Sequence, residues 1–273
     1  MALSQEILLF FAKYIEKELG IIYVEANYFQ LEHRLRDIST QLGFAGIDEL
    51  YQKARTSING SMKSLLLDLA TNNETSFFRD VSIFKALSTY IIPELLKDPY
   101  KSVISIWSAA SSSGQEIYSI AMEIEELRKT SLKIPMVRYL ASDVSDTILK
   151  RARNGLYSQI EIQRGLPAKL MIEYFSKTPQ DQWQVKGHLQ SMMNFKKINL
   201  LEDWGDIGKF DVIFIRNVLI YQNVENKKKV IEGIYARLNP KGFLILGAAE
   251  SLYGVSERFK QVAVDKAIIY QRD

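Results

Sequence analysis

Apolar side chains recur at helical spacing over the first stretch of the chain. Ile7, Phe10, Phe11, Tyr14, Ile15 and Leu19 share one stripe, and Gly20 stands where a C-terminal cap belongs. The same periodicity predicts three more helices. One covers ANYFQLEHRLRDISTQL and ends before Gly43. A second follows Ile47-Asp48, with Asp48 as N-cap, and ends near Asn59-Gly60. A third starts after Ser61 and runs through MKSLLLDLA. Residues 1–72 therefore read as a small all-helical domain, and residues 73–100 as a linker and helix leading out of it.

From residue 101 the pattern changes. Runs that are apolar on both faces alternate with helical segments: VISIWSA (103–109), VRYLASD (137–143), MNFKKIN (193–199), FDVIFIRN (210–217), GFLILGA (242–248) and IIYQR (268–272). Between them lie EIYSIAMEIEELRK, SDTILKRARNG and NKKKVIEGIYARLN, and LNPKG (238–242) reads as a turn into the next strand. This is the pattern of an α/β domain over 101–273, a mostly parallel, doubly wound, Rossmann-like sheet. One segment breaks the alternation. Within YFSKTPQDQWQVKGHLQSMMNF, Gln182–Leu189 reads as a short exposed strand reached from a Thr-Pro turn. A small antiparallel β-subdomain inserted at about 157–192 and a longer edge loop are both consistent with it.

Composition narrows the chemistry by exclusion. The chain has 273 residues, enough for one large or two modest domains, with 35 basic and 32 acidic side chains. A net charge of +3 gives no reason to expect nucleic acid as a partner. With no cysteine, neither a thiolate nucleophile nor a cysteine zinc site is available. Two histidines 155 positions apart, His33 and His188, argue against a histidine metal site, so no metal is expected. The N-terminus lacks the features of a signal peptide, and no apolar run approaches the ~18 residues of a membrane span. A cytoplasmic protein without membrane insertion, and a monomer, is the expectation.

Ligands of open α/β sheets lie beyond the carboxyl ends of the strands. The first strand ends in SAASSSGQE, small residues with a single glycine, Gly114, too few for a phosphate-cradling loop. Glu116 follows at a helix start, where a carboxylate is stabilised by the helix dipole but would repel a pyrophosphate. Asp143 ends the second strand, Asn199-Leu200 follow the third, and Arg216-Asn217 and then Tyr221 follow the fourth. An N-cap or a satisfied buried network would account for any one of them. Together they suggest a nucleoside ligand without a phosphate chain, a description that S-adenosylmethionine fits.

Several blocks then converge. TNNETSFFRD (71–80), WSAASSSGQEIYSIAM (107–122), ASD (141–143), INLL (198–201), FDVIFIRNVLIYQ (210–222) and LNPKGFLILGAAESL (238–252) resemble, in order, those of chemotaxis receptor methyltransferases of the CheR type. The resemblance implies a helical N-terminal domain, a methyltransferase sheet with a small inserted β-subdomain, and transfer of a methyl group from S-adenosylmethionine to receptor glutamates, leaving S-adenosylhomocysteine. It also implies site residues. Asn73, Thr75 and Arg79 would contact the cofactor from the linker, and Glu116 from the first strand–helix. Asp143 would bind the ribose, Asn199 and Leu200 would surround the adenine, and Arg216 and Asn217 would close the site. Arg79 and Tyr221 would serve catalysis by orienting a carboxylate, and of the pair Phe77-Phe78 the second is expected in the core.

The expected partner is the cytoplasmic domain of a methyl-accepting chemoreceptor, whose acidic methylation helices a basic face could steer. Arg34, Arg36, Lys53 and Arg55 are the candidates for it. Two positions depart from the family: Gln115 where a glutamate is common and Ile117 where proline is. The hairpin loop TPQDQ (178–182) is shorter than in relatives that grip a receptor's C-terminal pentapeptide, so independence of such a tether is expected. A catalytically idle signalling module and a small-molecule methyltransferase remain as alternative readings.

Overall fold

The computed structural model describes residues 4–71 and 73–273. The start of the first predicted helix and the expected domain boundary at residue 72 lie outside them. Helices α1 (Gln5–Leu19), α2 (Tyr28–Gln41), α3 (Ile47–Thr56) and α4 (Gly60–Ala70) pack around one cluster that includes Phe11, Ile15, Leu35, Leu50 and Leu66. Phe10 and Tyr14, assigned to the same stripe by spacing, sit half-buried at its margin. Gly20 caps α1 in the left-handed conformation (φ 70°), its N–H donating to the Glu16 carbonyl. Asp48 does not cap α3. Gly46 holds that position without a side-chain bond, and Asp48 lies in the first turn, where its charge still suits the helix dipole. The next cap is a side chain: Asn59 accepts from the Met62 N–H at the start of α4.

Beyond the linker, α5 (Val81–Ala86) runs through a π-helical turn (Leu87–Ile91) into α6 (Ile92–Leu95). The α/β part then follows the alternation read from the sequence: β1 (Val103–Ala109), α7 (Gln115–Arg128), β2 (Met136–Asp143) and α8 (Asp146–Asn154). An insertion comes next, with β3 (Leu156–Tyr157), α9 (Gln159–Gln163), α10 (Ala168–Tyr174), β4 (Phe175–Lys177), β5 (Trp183–Val185) and a helical turn α11 (Gly187–Gln190). The chain returns through β6 (Met193–Lys197), β7 (Phe210–Ile215), α12 (Val224–Arg237), β8 (Leu238–Leu246), β9 (Phe259–Val264) and β10 (Ala267–Arg272).

The main sheet has the order β6-β2-β1-β7-β8-β10-β9, parallel through its first five strands and antiparallel at β10 and β9. From β1 the chain builds outward to β2 and β6, then returns to pair β7 on the other side of β1. The order therefore reverses between β1 and β7, and a crevice opens beyond their carboxyl ends. The mostly parallel, doubly wound sheet and the small antiparallel one are thus as the sequence implies.

Two details differ. The segment 182–189 is not one strand: only Trp183–Val185 pairs, in the middle of a three-stranded sheet ordered β3-β5-β4, and Gly187 begins a helical turn. Pairing of β8 also begins earlier than expected, since Leu238 is already opposite Phe210 and a register shift absorbs the Pro240–Gly242 turn. Strand β9 escapes the periodicity altogether. It is an edge strand exposed along much of its length, and its hairpin turn Asp265-Lys266 lacks the glycine that usually signals one.

Helix α1 ends against the α/β part. Its last carbonyls, which have no intrahelical partner, accept side-chain amides: Asn199 Nδ2 donates to Glu18 O (2.8 Å) and Gln222 Nε2 to Leu19 O (2.7 Å). The Ile22 N–H donates to Tyr221 O at 3.4 Å. The left-handed φ favours glycine at 20, and a Cβ there would also lie 1.9 Å from Gln222 Oε1 and displace that side chain. Gly20→Ala is expected to destabilise the protein by about 1–3 kcal/mol, from left-handed strain plus displacement of Gln222. Urea unfolding measures this, and a loss under about 0.5 kcal/mol would show that the junction yields freely.

Candidate active site

The crevice at the β1/β7 reversal is a cleft of about 1010 Å³, counting the space open to solvent at its mouth. Its floor is the loop after β1. Ala110 and Ser112 both adopt left-handed φ (57° and 51°), a strained state for residues with a Cβ, and Gly114 (91°) adopts it freely, so three left-handed residues occur within five. Small side chains make this tolerable, and at Gly114 a Cβ would stand 3.0 Å from Ala152 Cβ. The loop's N–H groups are spent inside the protein: Ser111 N–H donates to Ser142 O, Ser112 N–H to Asp143 Oδ2 and Gly114 N–H to Ser111 O. With its amides turned inward, the loop offers no phosphate cradle.

Asp143, at the end of β2, is only 6% exposed and accepts from the N–H groups of Ser112 (3.0 Å) and Ser145 (3.1 Å). Burial raises its pKa, and the backbone donors work in the opposite direction. Arg216, at the end of β7, is equally buried. Its guanidinium donates to Glu116 Oε2 (2.9 Å), Asp80 Oδ2 (2.5 Å) and the Arg79 carbonyl (3.0 Å). Ser108 Oγ donates to the other Glu116 oxygen at 2.7 Å. The positive charge that Glu116 meets within the protein is therefore Arg216.

The linker block supplies another wall. Phe77 and Phe78 are both in the core, Phe77 edge-on to Tyr157 and Phe175, and Phe78 against Phe84. The Phe78 N–H donates to Ser119 Oγ on α7. With these anchors below, Asn73, Thr75 and Arg79 face the cleft, and Arg79 Nη1 donates to the Glu74 carbonyl at 3.1 Å. Leu19 and Ile21 of the helical domain line it too, as do Asn199, Leu200, Asn217 and Tyr221.

All ten residues assigned to cofactor binding and catalysis thus border one cleft. The four proposed for docking do not. Arg34 is bound to the Tyr23 hydroxyl (2.5 Å) and the Ala70 carbonyl (2.8 Å), a clamp within the helical domain. Arg36 pairs with Glu32, Arg55 lies over the Tyr51 ring, and Lys53 is exposed. Gln115 does not line the cleft either. It is buried, accepts from Ser113 Oγ and donates to Glu161 of the insertion at 3.4 Å, so a glutamate there would set two carboxylates side by side.

Sequence reasoning missed Ser111 and Gln222, both cleft residues, and Glu250 beside them. Ser111 Oγ and Arg216 Nε are buried without a protein partner. Such orphan polar atoms at a cleft are what a polar ligand would satisfy. Carboxylates at strand ends, small-residue backbone and no phosphate cradle form a donor set that fits S-adenosylmethionine, with its ribose hydroxyls, amino-acid tail and sulfonium. Among the described residues no cluster of potential metal ligands occurs, and no helix is long and apolar enough to cross a membrane.

The chain is similar to known methyltransferases. The family described as "CheR methyltransferase, SAM binding domain" matches residues 73–268. A chemotaxis protein methyltransferase of Pseudomonas putida is 36% identical over 263 residues, covering 96% of this chain and 96% of its own length. One from Vibrio parahaemolyticus is 37% identical over 263 residues, covering 96% and 94%. One from Borreliella burgdorferi is 32% identical over 246 residues, covering 89% and 87%. Among solved structures, magnesium protoporphyrin IX methyltransferase from Synechocystis PCC 6803 with bound SAM superposes with a TM-score of 0.38 at 14% identity, covering 89% of this chain and 97% of that one.

Arg216→Met would leave Glu116 and Asp80 without their guanidinium. A loss of about 3 kcal/mol is expected, toward the lower end for a broken buried pair because Asp80 is a third exposed. Urea denaturation of the free protein would show it. A loss below about 1 kcal/mol would mean that the network is solvated rather than structural.

Proposed function

Because the chain belongs to the CheR methyltransferase family, we propose that it esterifies glutamate side chains on the cytoplasmic helical bundle of chemoreceptors, for sensory adaptation. That it is an S-adenosylmethionine-dependent methyltransferase follows from the family itself. The bound cofactor supplies a methyl group already activated on a sulfonium.

The observation that carries the glutamate reading is what the cleft lacks. None of its described lining residues is a histidine or a cysteine, and its carboxylates are engaged, Glu74 in an ion pair with Arg164 and Glu116 and Asp143 in hydrogen bonds. A hydroxyl or amine acceptor needs a base to take its proton. A glutamate, with a reference pKa of about 4.3, is already an anionic nucleophile at neutral pH. For such an acceptor the protein has only to position it and exclude water.

The placement of these residues around one cleft supports the following roles. Asp143 accepts from the ribose hydroxyls, while Asn199 and Leu200 flank the adenine. Glu116 and Asp80 are bound to the buried Arg216 guanidinium, and Asp143 adds a further carboxylate at the cleft wall, an arrangement that favours the cationic end of the cofactor. Asn73, Thr75 and Asn217 close around it, and Arg79 and Tyr221 at the rim orient the incoming carboxylate. Arg36, Lys53 and Arg55 on the helical domain remain candidates for steering an acidic receptor helix. Arg34 would have to give up its bonds to Tyr23 and Ala70 to join them.

We also hold that no C-terminal tether is required. The outer strands of the inserted sheet, β3 and β4, span two and three residues, little edge for an added peptide strand. The loop joining β4 to β5 closes tightly, with the Thr178 N–H donating to Gln182 O at 2.7 Å.

Incubation with tritiated S-adenosylmethionine and purified receptor cytoplasmic fragments should give base-labile label on the receptor. Failure to label any bundle would favour a small-molecule acceptor. Arg79→Ala should lose most of this activity while keeping its unfolding midpoint, and activity within about twofold of wild type would remove Arg79 from the reaction. For the tether, calorimetry with a receptor C-terminal pentapeptide should register no binding. A submicromolar Kd would overturn that part of the reading.

A further inference from the structure

One side chain organises the segment after β7 from thirty residues downstream. Asn217 adopts a left-handed φ of 59°, and the short 3-10 turn Leu219–Tyr221 begins without a cap of its own. The amides of this segment converge on the Glu250 carboxylate. Oε2 accepts from the N–H groups of Asn217 (2.8 Å) and Gly247 (2.8 Å). Oε1 accepts from those of Val218 (2.8 Å) and Leu219 (2.7 Å), with Ile220 longer at 3.3 Å. Gly247 makes this possible: a Cβ there would lie 2.8 Å from Glu250 Oε2 and 2.9 Å from Asn217 N.

We infer that Glu250 is a positioning residue for the cofactor cleft. It does not itself line the cleft. It holds the peptide that carries Arg216 at one end and Tyr221 at the other, with Asn217 between them at the cleft wall. The same peptide receives the helical domain, since Tyr221 O accepts from the Ile22 N–H. Left alone, a run of adjacent N–H groups after a left-handed kink would relax toward water. An ionised carboxylate collecting them, in charge-assisted bonds, fixes the kink. A neutral amide cannot substitute, because its NH2 would face one of two convergent sets of donors.

This rests on the assignment of the cleft to S-adenosylmethionine and not on the identity of the methyl acceptor. The test therefore uses the free protein and the product nucleoside. In wild type, hydrogen exchange should find the amides of Asn217–Leu219 protected although they belong to no α-helix or strand. Free exchange there would overturn the inference without any variant. Glu250→Gln should accelerate those amides by about a hundredfold and weaken S-adenosylhomocysteine binding, by calorimetry well below the unfolding midpoint, by at least about tenfold. Gly247→Ala, which presses on the same carboxylate from just beyond β8, should weaken it in the same way. A lowered unfolding midpoint with unchanged nucleoside affinity in both variants would mean that Glu250 is structural only. If wild type itself bound no S-adenosylhomocysteine, the cleft assignment would fail while the exchange experiment still judged Glu250.

Discussion

The buried guanidinium of Arg216 is the constraint around which the active cleft is arranged. A charge at this depth is tolerated only with partners, and those of Arg216, which follows β7, come from two other parts of the chain: Glu116 from α7, and Asp80 and the Arg79 carbonyl from the linker. Satisfying one ion therefore draws the linker down onto the carboxyl edge of the sheet. That docking sets Phe77 and Phe78 into the core and leaves Asn73, Thr75 and Arg79 along the cleft. Cofactor wall and buried charge network are the same construction.

A second set of bonds brings in the helical domain. The C-terminus of α1 ends in carbonyls with no partner of their own, and the loops after β6 and β7 answer with the amides of Asn199 and Gln222. Leu19 and Ile21 become part of the cleft as a consequence. The inserted sheet approaches from the opposite side, where the Tyr157 hydroxyl donates to Ser113 O and Gly165 packs close against the Phe77 carbonyl. Helical domain and insertion, the two parts farthest from a plain doubly wound fold, thus both support the walls of one site.

The strand ends were legible because a parallel strand buried on both faces that finishes in Asp or Arg carries a polar group in need of partners. Asp143 and Arg216 stood out against their apolar runs for that reason, Asn199 follows the edge strand β6, and all three share one cleft. Gln115 shows the converse. Its neighbour Glu116 faces the cleft, but one helical position turns a side chain by about 100°, and Gln115 points to Glu161 in the insertion. Glu250 lay inside a resembling block, 238–252, but nothing local singled it out: an acid in a loop between strands looks like any solvated charge until the amides of Asn217–Ile220 are seen to gather on it. Asp48 and β9 failed for local reasons, a glycine taking the cap position in one case and an exposed edge with an atypical turn in the other.

What the sequence determined by itself was periodicity, and with it the helical start, the alternating α/β part, the break made by the insertion and the residues at the strand ends. Those features depend on neighbours within a few positions, where spacing alone decides which face is buried. Which distant groups would meet was decided only by tertiary structure. Arg216 with Glu116 and Asp80, the α1 carbonyls with Asn199 and Gln222, and Glu250 with the amides after β7 are pairings across thirty to two hundred residues. Their partners are chosen by the need to satisfy buried polar groups once the sheet order has brought them together, and that order is not written in any local stretch of chain.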